Sequence, residues 1–194
     1  MRKIFVAKII RASAVPAVWV GLLLTSLYFF EEGIFNSAHQ LWLSVAFLGL
    51  IPMAAYVLAP LLPKFKDKGA EGKRNLAFIF TFFGYTAGIL YGIFAEVSEQ
   101  LMFIFVVYFL SYIMLLISNK IVKFRASGHA CGLFGPVILF AYFLGVHFAI
   151  PSFILLWLVS WASLFLKRHT PSELIGGGLV AMVSFFGGMW AIAL

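Results

Sequence analysis

Leu164-Phe-Leu-Lys-Arg-His-Thr-Pro-Ser-Glu-Leu-Ile-Gly-Gly-Gly178 ends one apolar segment and begins another within a few residues. Two bases and a histidine close the first segment. A Thr-Pro pair opens the next, with Glu173 in its first turn. Lys123-Phe-Arg-Ala-Ser-Gly-His-Ala-Cys131 repeats the pattern: bases, a hydroxyl, a glycine and a histidine where another apolar segment starts. Both stretches read as points where membrane helices meet water, and both gather cations and an imidazole suited to a phosphate group.

The surrounding composition agrees. Of 194 residues, 63% are hydrophobic and only 11% charged, and the mean hydropathy is +1.06. A soluble domain carries about 25% charged residues, so the chain is expected to be an integral membrane protein. Its net charge of +7 is assigned to membrane orientation rather than nucleic-acid binding. The single cysteine, Cys131, lies in an apolar run and reads as a packing residue. No removable signal peptide is expected, because Lys8 and Arg11 break the first apolar run.

Hydrophobic stretches of about 20 residues span the hydrocarbon as helices. After an interfacial lead-in over 1–12, spans are expected at 14–30, 41–62, 76–95, 101–117, 128–148, 152–166 and from Pro171 to the C-terminus. The reading is an all-α, polytopic bundle of about seven transmembrane helices forming one domain, 1–194. On that path the N-terminus and the loops 63–75, 118–127 and 167–170 share a side, which collects every Lys and Arg of the chain. Glu31, Glu32, Glu96 and Glu99 fall on the other. The asymmetry predicts a cytoplasmic N-terminus and an outer C-terminus. Trp42 and Trp190 then sit near the outer interface as anchors.

The segments Ser127–His129 and His169–Glu173 therefore meet on the cytoplasmic face. Ser127 and Gly128 open a helix whose unpaired amides favour an anion, with Lys123 and Arg125 nearby in sequence. His169 and Glu173 are four apart, so on a helix the carboxylate can orient the imidazole. Thr170-Pro-Ser-Glu173 also fits a capping box with Pro171 at the first helical position. The two roles are compatible. His39 and His147 lie at outer helix ends without basic neighbours and read as interfacial. The histidines lack a zinc-protease spacing, so no metal is expected.

Ser127-Gly-His129, followed about forty residues later by His169-Thr-Pro-Ser-Glu173-Leu-Ile-Gly-Gly, resembles the second and third signature motifs of the type 2 phosphatidic acid phosphatase superfamily. Those motifs read Pro-Ser-Gly-His and Ser-Arg-x5-His-x3-Asp. The resemblance covers mainly residues 120–194. It implies that His169 is a nucleophile forming a phosphohistidine, that Glu173 orients it, and that His129 protonates the leaving lipid oxygen. Ser127 and the Gly128 amide would hold phosphate oxygens, with no cofactor. Ala126 stands where the family has proline, and Ser163 where it has arginine. The first family motif, Lys-x6-Arg-Pro, has its nearest counterpart in Lys66, Lys73 and Arg74.

The resemblance implies an enzyme that hydrolyses a phosphate monoester or diphosphate of a lipid: phosphatidic acid, phosphatidylglycerol phosphate or a polyprenyl diphosphate. The alternative is a non-catalytic relative that binds or moves anionic lipid. If the sixth span stays helical through its end, Lys167 shares a face with Ser163 and supplies the missing cation. Arg168 then points about 100° away and contributes less.

Overall fold

The computed structural model describes residues 2–13 and 15–192. All the regular structure among them is helical. The lead-in is a helix, α1 (Arg2–Ser13), which meets α2 (Pro16–Phe30) at a bend of 52°. Next come α3 (Ala38–Val45) and α4 (Ile51–Leu58), joined by a π-helical turn over Ala46–Leu50 into one continuous rod. The short α5 (Pro63–Lys66) leads to α6 (Gly69–Phe94) and α7 (Glu99–Leu116), which continues as a π turn over Ile117–Ile121. The chain ends with α8 (Gly128–Leu144), α9 (Val146–Phe165) and α10 (Pro171–Ile192).

Each of the seven expected apolar stretches is mainly helical among the described residues, with turns over 59–62 and a break at Gly145; Ala14 and the last two residues of the chain lie outside the described residues. Among the described residues, five helices are long and apolar enough to cross a membrane, or six if α1 and α2 count as one bent span. The remaining one, α8, has 17 residues, the lower limit of what spans a bilayer. The expected count of about seven therefore exceeds the five or six that length supports.

α8 is short because the break falls at Gly145, not beyond Phe148 as the sequence suggested. Gly145 has φ +85° and ψ 169°, a conformation essentially restricted to glycine. Pro151 lies inside α9. The polar segment 63–75 is also more ordered than a loop: α5 and the first turns of α6 occupy it, so Lys73 and Arg74 are helical.

α8 packs against α2, α9 and α10, and α10 also covers α7. α6 lies on the far side, against α4, α5 and α7, while α1 lies along α9. The main core joins Leu23, Leu24 and Leu27 of α2 to Phe103 and Phe105 of α7 and Leu139 of α8. Two buried serine hydroxyls bond within their own helices. Ser44 Oγ donates to the Gln40 carbonyl and Ser184 Oγ to the Val180 carbonyl, both at 2.7 Å. Without such partners a buried hydroxyl costs roughly 1–3 kcal/mol. Outward-facing Phe83, Phe94, Trp157 and Trp190 present an apolar belt suited to lipid.

Candidate functional site

Three helix ends build the site: the end of α9 and the beginnings of α8 and α10. α9 closes with a Schellman arrangement, in which the Arg168 N–H donates to the Ser163 carbonyl (2.9 Å) and the Lys167 N–H to the Leu164 carbonyl (3.0 Å). The position that such a motif normally gives to glycine is Lys167, at φ +52°. The helix ends at Phe165, so Lys167 does not continue the face of Ser163 as the sequence suggested. The turn instead brings Lys167 and Arg168 together at one opening.

Thr170 caps α10. Its Oγ1 accepts from the Glu173 N–H, and its own N–H donates to Glu173 Oε2, both at 3.3 Å. The same Oε2 lies 2.7 Å from His169 Nδ1. The capping box and the imidazole–carboxylate pair therefore coexist on one oxygen. Glu173 Oε1 faces Arg125 Nη1 at 3.8 Å. A carboxylate only accepts hydrogen bonds, so it selects the tautomer with hydrogen on Nδ1 and leaves the His169 Nε2 lone pair free.

The α8 start is tied to α10 through backbone. The Ser127 N–H donates to the Glu173 carbonyl at 2.9 Å, and Ser127 Oγ accepts from the Ala130 N–H at 3.2 Å. Ser127 is fully buried. Its amide and its hydroxyl oxygen thus serve as tie and helix cap, whereas the sequence suggested a phosphate ligand. Gly128 is exposed at the helix start, with the unpaired amide that a first helical residue carries. Asn119 Nδ2 donates to the Leu115 carbonyl (2.9 Å) and the Ala126 carbonyl (3.3 Å), fixing the segment that leads into Ser127. The close approach requires Gly177. A Cβ there would collide with the Ser127 carbonyl oxygen and lie 2.9 Å from Ala130 Cβ.

A cavity of about 360 Å³ opens among Arg125, Lys167, Arg168, His169 and Glu173, with Leu164, Thr170 and Pro171 completing its wall. Three cations thus face one imidazole–carboxylate pair. His129 sits half-buried on the first turn of α8, outside that wall but within electrostatic reach of His169. Burial is the main influence lowering the His169 pKa below its ordinary value. Glu173 opposes that shift, while Arg125 and Arg11 reinforce it. The neutral form of the imidazole is accordingly favoured. Among the described residues, no three His, Cys, Asp or Glu side chains come together as a metal centre.

Several expected cations are elsewhere. Lys66, Lys73 and Arg74 belong to α5 and α6, which pack on the α4 and α7 side, and none lines the cavity. Arg74 interacts with Tyr56 of α4 instead. Charge in a loop identifies the side of the membrane but not the neighbouring helices, which is why the motif counterpart was misleading. Lys123 is exposed in a left-handed turn (φ +59°) and also lies outside the cavity wall.

Conversely, the sequence reading missed Arg11. It interacts electrostatically with His129, His169, Arg125 and Arg168, and its Nε is buried without a hydrogen-bond partner. Ala7, one turn earlier on the same face, is fully buried, while Lys3 and Lys8 are exposed. A small residue four positions before a base was the available signal that Arg11 faces inward. In comparisons with known proteins, no family model, no curated protein and no solved structure matches the chain.

Proposed function

We propose that this chain is a metal-independent membrane phosphatase that hydrolyses a phosphate ester or diphosphate of a lipid. The observation that carries the proposal is the His169–Glu173 pair at 2.7 Å beside Arg125, Lys167 and Arg168 in one cavity. In this reading His169 Nε2 attacks phosphorus and the bond to the lipid oxygen breaks. His129 gives that oxygen its proton, leaving a phosphohistidine. Water, deprotonated by His129, then attacks the phosphoryl group, releasing inorganic phosphate and restoring His169. Charge developing on the equatorial oxygens is met by the three cations and the Gly128 amide. Glu173 acts through His169, keeping its tautomer and stabilising the positive charge the ring acquires.

The one-sided distribution of lysine and arginine supports a cytoplasmic N-terminus and site. Phosphatidic acid, phosphatidylglycerol phosphate and polyprenyl diphosphates remain the substrate panel. Purified protein incubated with each in the presence of chelator should release inorganic phosphate, and His169→Ala should abolish release while the protein stays folded. Saturable lipid binding with no phosphate release from any member of the panel would instead establish the non-catalytic alternative.

A further inference from the structure

A second cavity, about 420 Å³, lies between α8, α9 and α10. Leu156, Ser160 and Leu164 line it from α9 at four-residue spacing, one face of that helix. Phe134 of α8 and Gly178 and Met182 of α10 form other parts of its wall. The one hydroxyl is occupied, since Ser160 Oγ donates to the Leu156 carbonyl at 2.7 Å. The surface is therefore apolar without a free polar group to direct a headgroup or ion.

Its position identifies its occupant. Leu164 and Pro171 line both this groove and the cationic cavity, so one continues into the other. At 1.5 Å per residue the groove runs about 12 Å along α9 from Leu164 to Leu156, and about 16 Å along α10 from Pro171 to Met182. Both directions lead from the helix ends into the hydrocarbon. Ile175, Leu179 and Met182 leave it open on the outer surface of the bundle. We propose that this groove seats one hydrocarbon chain of the lipid whose phosphate enters the cationic cavity, the lipid arriving sideways between α9 and α10. The assignment rests on the phosphatase reading for the headgroup, but the chain site can be tested apart from turnover.

Gly178 provides the means. A Cβ there would meet only Phe134 Cγ, at 4.0 Å, an ordinary contact. Alanine therefore fits, and leucine projects into the groove without displacing backbone. The first measurement uses hexadecyl phosphate carrying a photoreactive diazirine near its chain end, with protein reconstituted in phosphatidylcholine vesicles. Label should concentrate on Phe134, Leu156 and Met182, persist in Gly178→Ala and fall at least tenfold in Gly178→Leu. Label spread evenly over lipid-facing residues such as Phe83 and Phe94, or unchanged in Gly178→Leu, would show that bulk lipid merely wets the groove and would overturn the proposal.

The second measurement is the ratio of kcat/KM for hexadecyl phosphate to that for phenyl phosphate, which has no chain. Gly178→Leu should lower this ratio at least tenfold and Gly178→Ala less than twofold. A proportional loss on both substrates would be a folding defect rather than a blocked chain site and would count against the groove. Groove labelling without hydrolysis of either ester would retain the chain site and refute the phosphatase reading.

Discussion

Glu173→Gln tests the chemistry most directly, because one carboxylate oxygen serves both a helix cap and a histidine. Glutamine keeps a carbonyl oxygen that can still accept from the Thr170 N–H, so the cap survives in outline. The charge facing His169 Nδ1 across 2.7 Å and Arg125 across 3.8 Å is lost. A hydrogen bond to a charged group contributes about 1.5–3 kcal/mol. The ring gains positive charge as Nε2 attacks, so most of that contribution belongs to the transition state. The expected result is a fall in kcat of roughly 10- to 150-fold with KM little changed. The assay is inorganic phosphate release under chelator. Thr170→Ala is the control, since it removes the side-chain cap and leaves the imidazole–carboxylate pair. It should lower stability by about 1 kcal/mol and kcat by less than threefold. If Glu173→Gln kept more than half the wild-type rate, or if Thr170→Ala slowed turnover as much, Glu173 would be a structural cap and nothing more.

Three further outcomes are expected. Lys167→Gly relieves a left-handed lysine and removes a cation, so thermal stability should hold or rise while kcat/KM falls severalfold; a drop in melting temperature would contradict the helix end described above. Arg168→Ala should cost at least tenfold in kcat/KM, measured on the same substrate, because the early end of α9 lets its guanidinium grip phosphate where lysine offers only a point charge. In the proposed mechanism, lowering pH protonates His169 and removes the nucleophile, and its pKa is lowered from the ordinary histidine value of about 6.5. The acid limb of kcat/KM should accordingly lie below that value. Because Glu173 favours the protonated ring, the limb should move further down in Glu173→Gln, and an upward move would refute the pairing.

Much of this molecule was legible before its coordinates. Apolar runs located the helices, and Thr170-Pro-Ser-Glu173 specified the start of α10 because capping depends only on local spacing. The His169–Glu173 pair follows from the same local rule. What escaped depends on packing between segments distant in sequence. Arg11 joins the site through the way α1 lies on α9, and Lys66, Lys73 and Arg74 leave it because α6 is across the bundle. The end of α9 was expected at 166 and falls at Phe165, but the left-handed turn that follows it was not legible. A Schellman turn usually advertises itself with glycine, and here lysine occupies the left-handed position. The break between α8 and α9 was expected between 148 and 152 but falls at Gly145, which adopts a conformation other residues avoid.

The unequal arms of the α8–α9 hairpin bear on the depth at which the proposed reaction would occur. Both helices leave Gly145, but His129 is 16 residues from it and Phe165, the end of α9, is 20, so measured along the helix axes His129 stops about 6 Å short of that end. In the proposed function, the leaving-group acid is sunk below the rim of cations. A lipid headgroup meets it without being lifted clear of its neighbours, while the water for the second step descends from the loop side. On that reading the lipid and the water would reach the site by different routes.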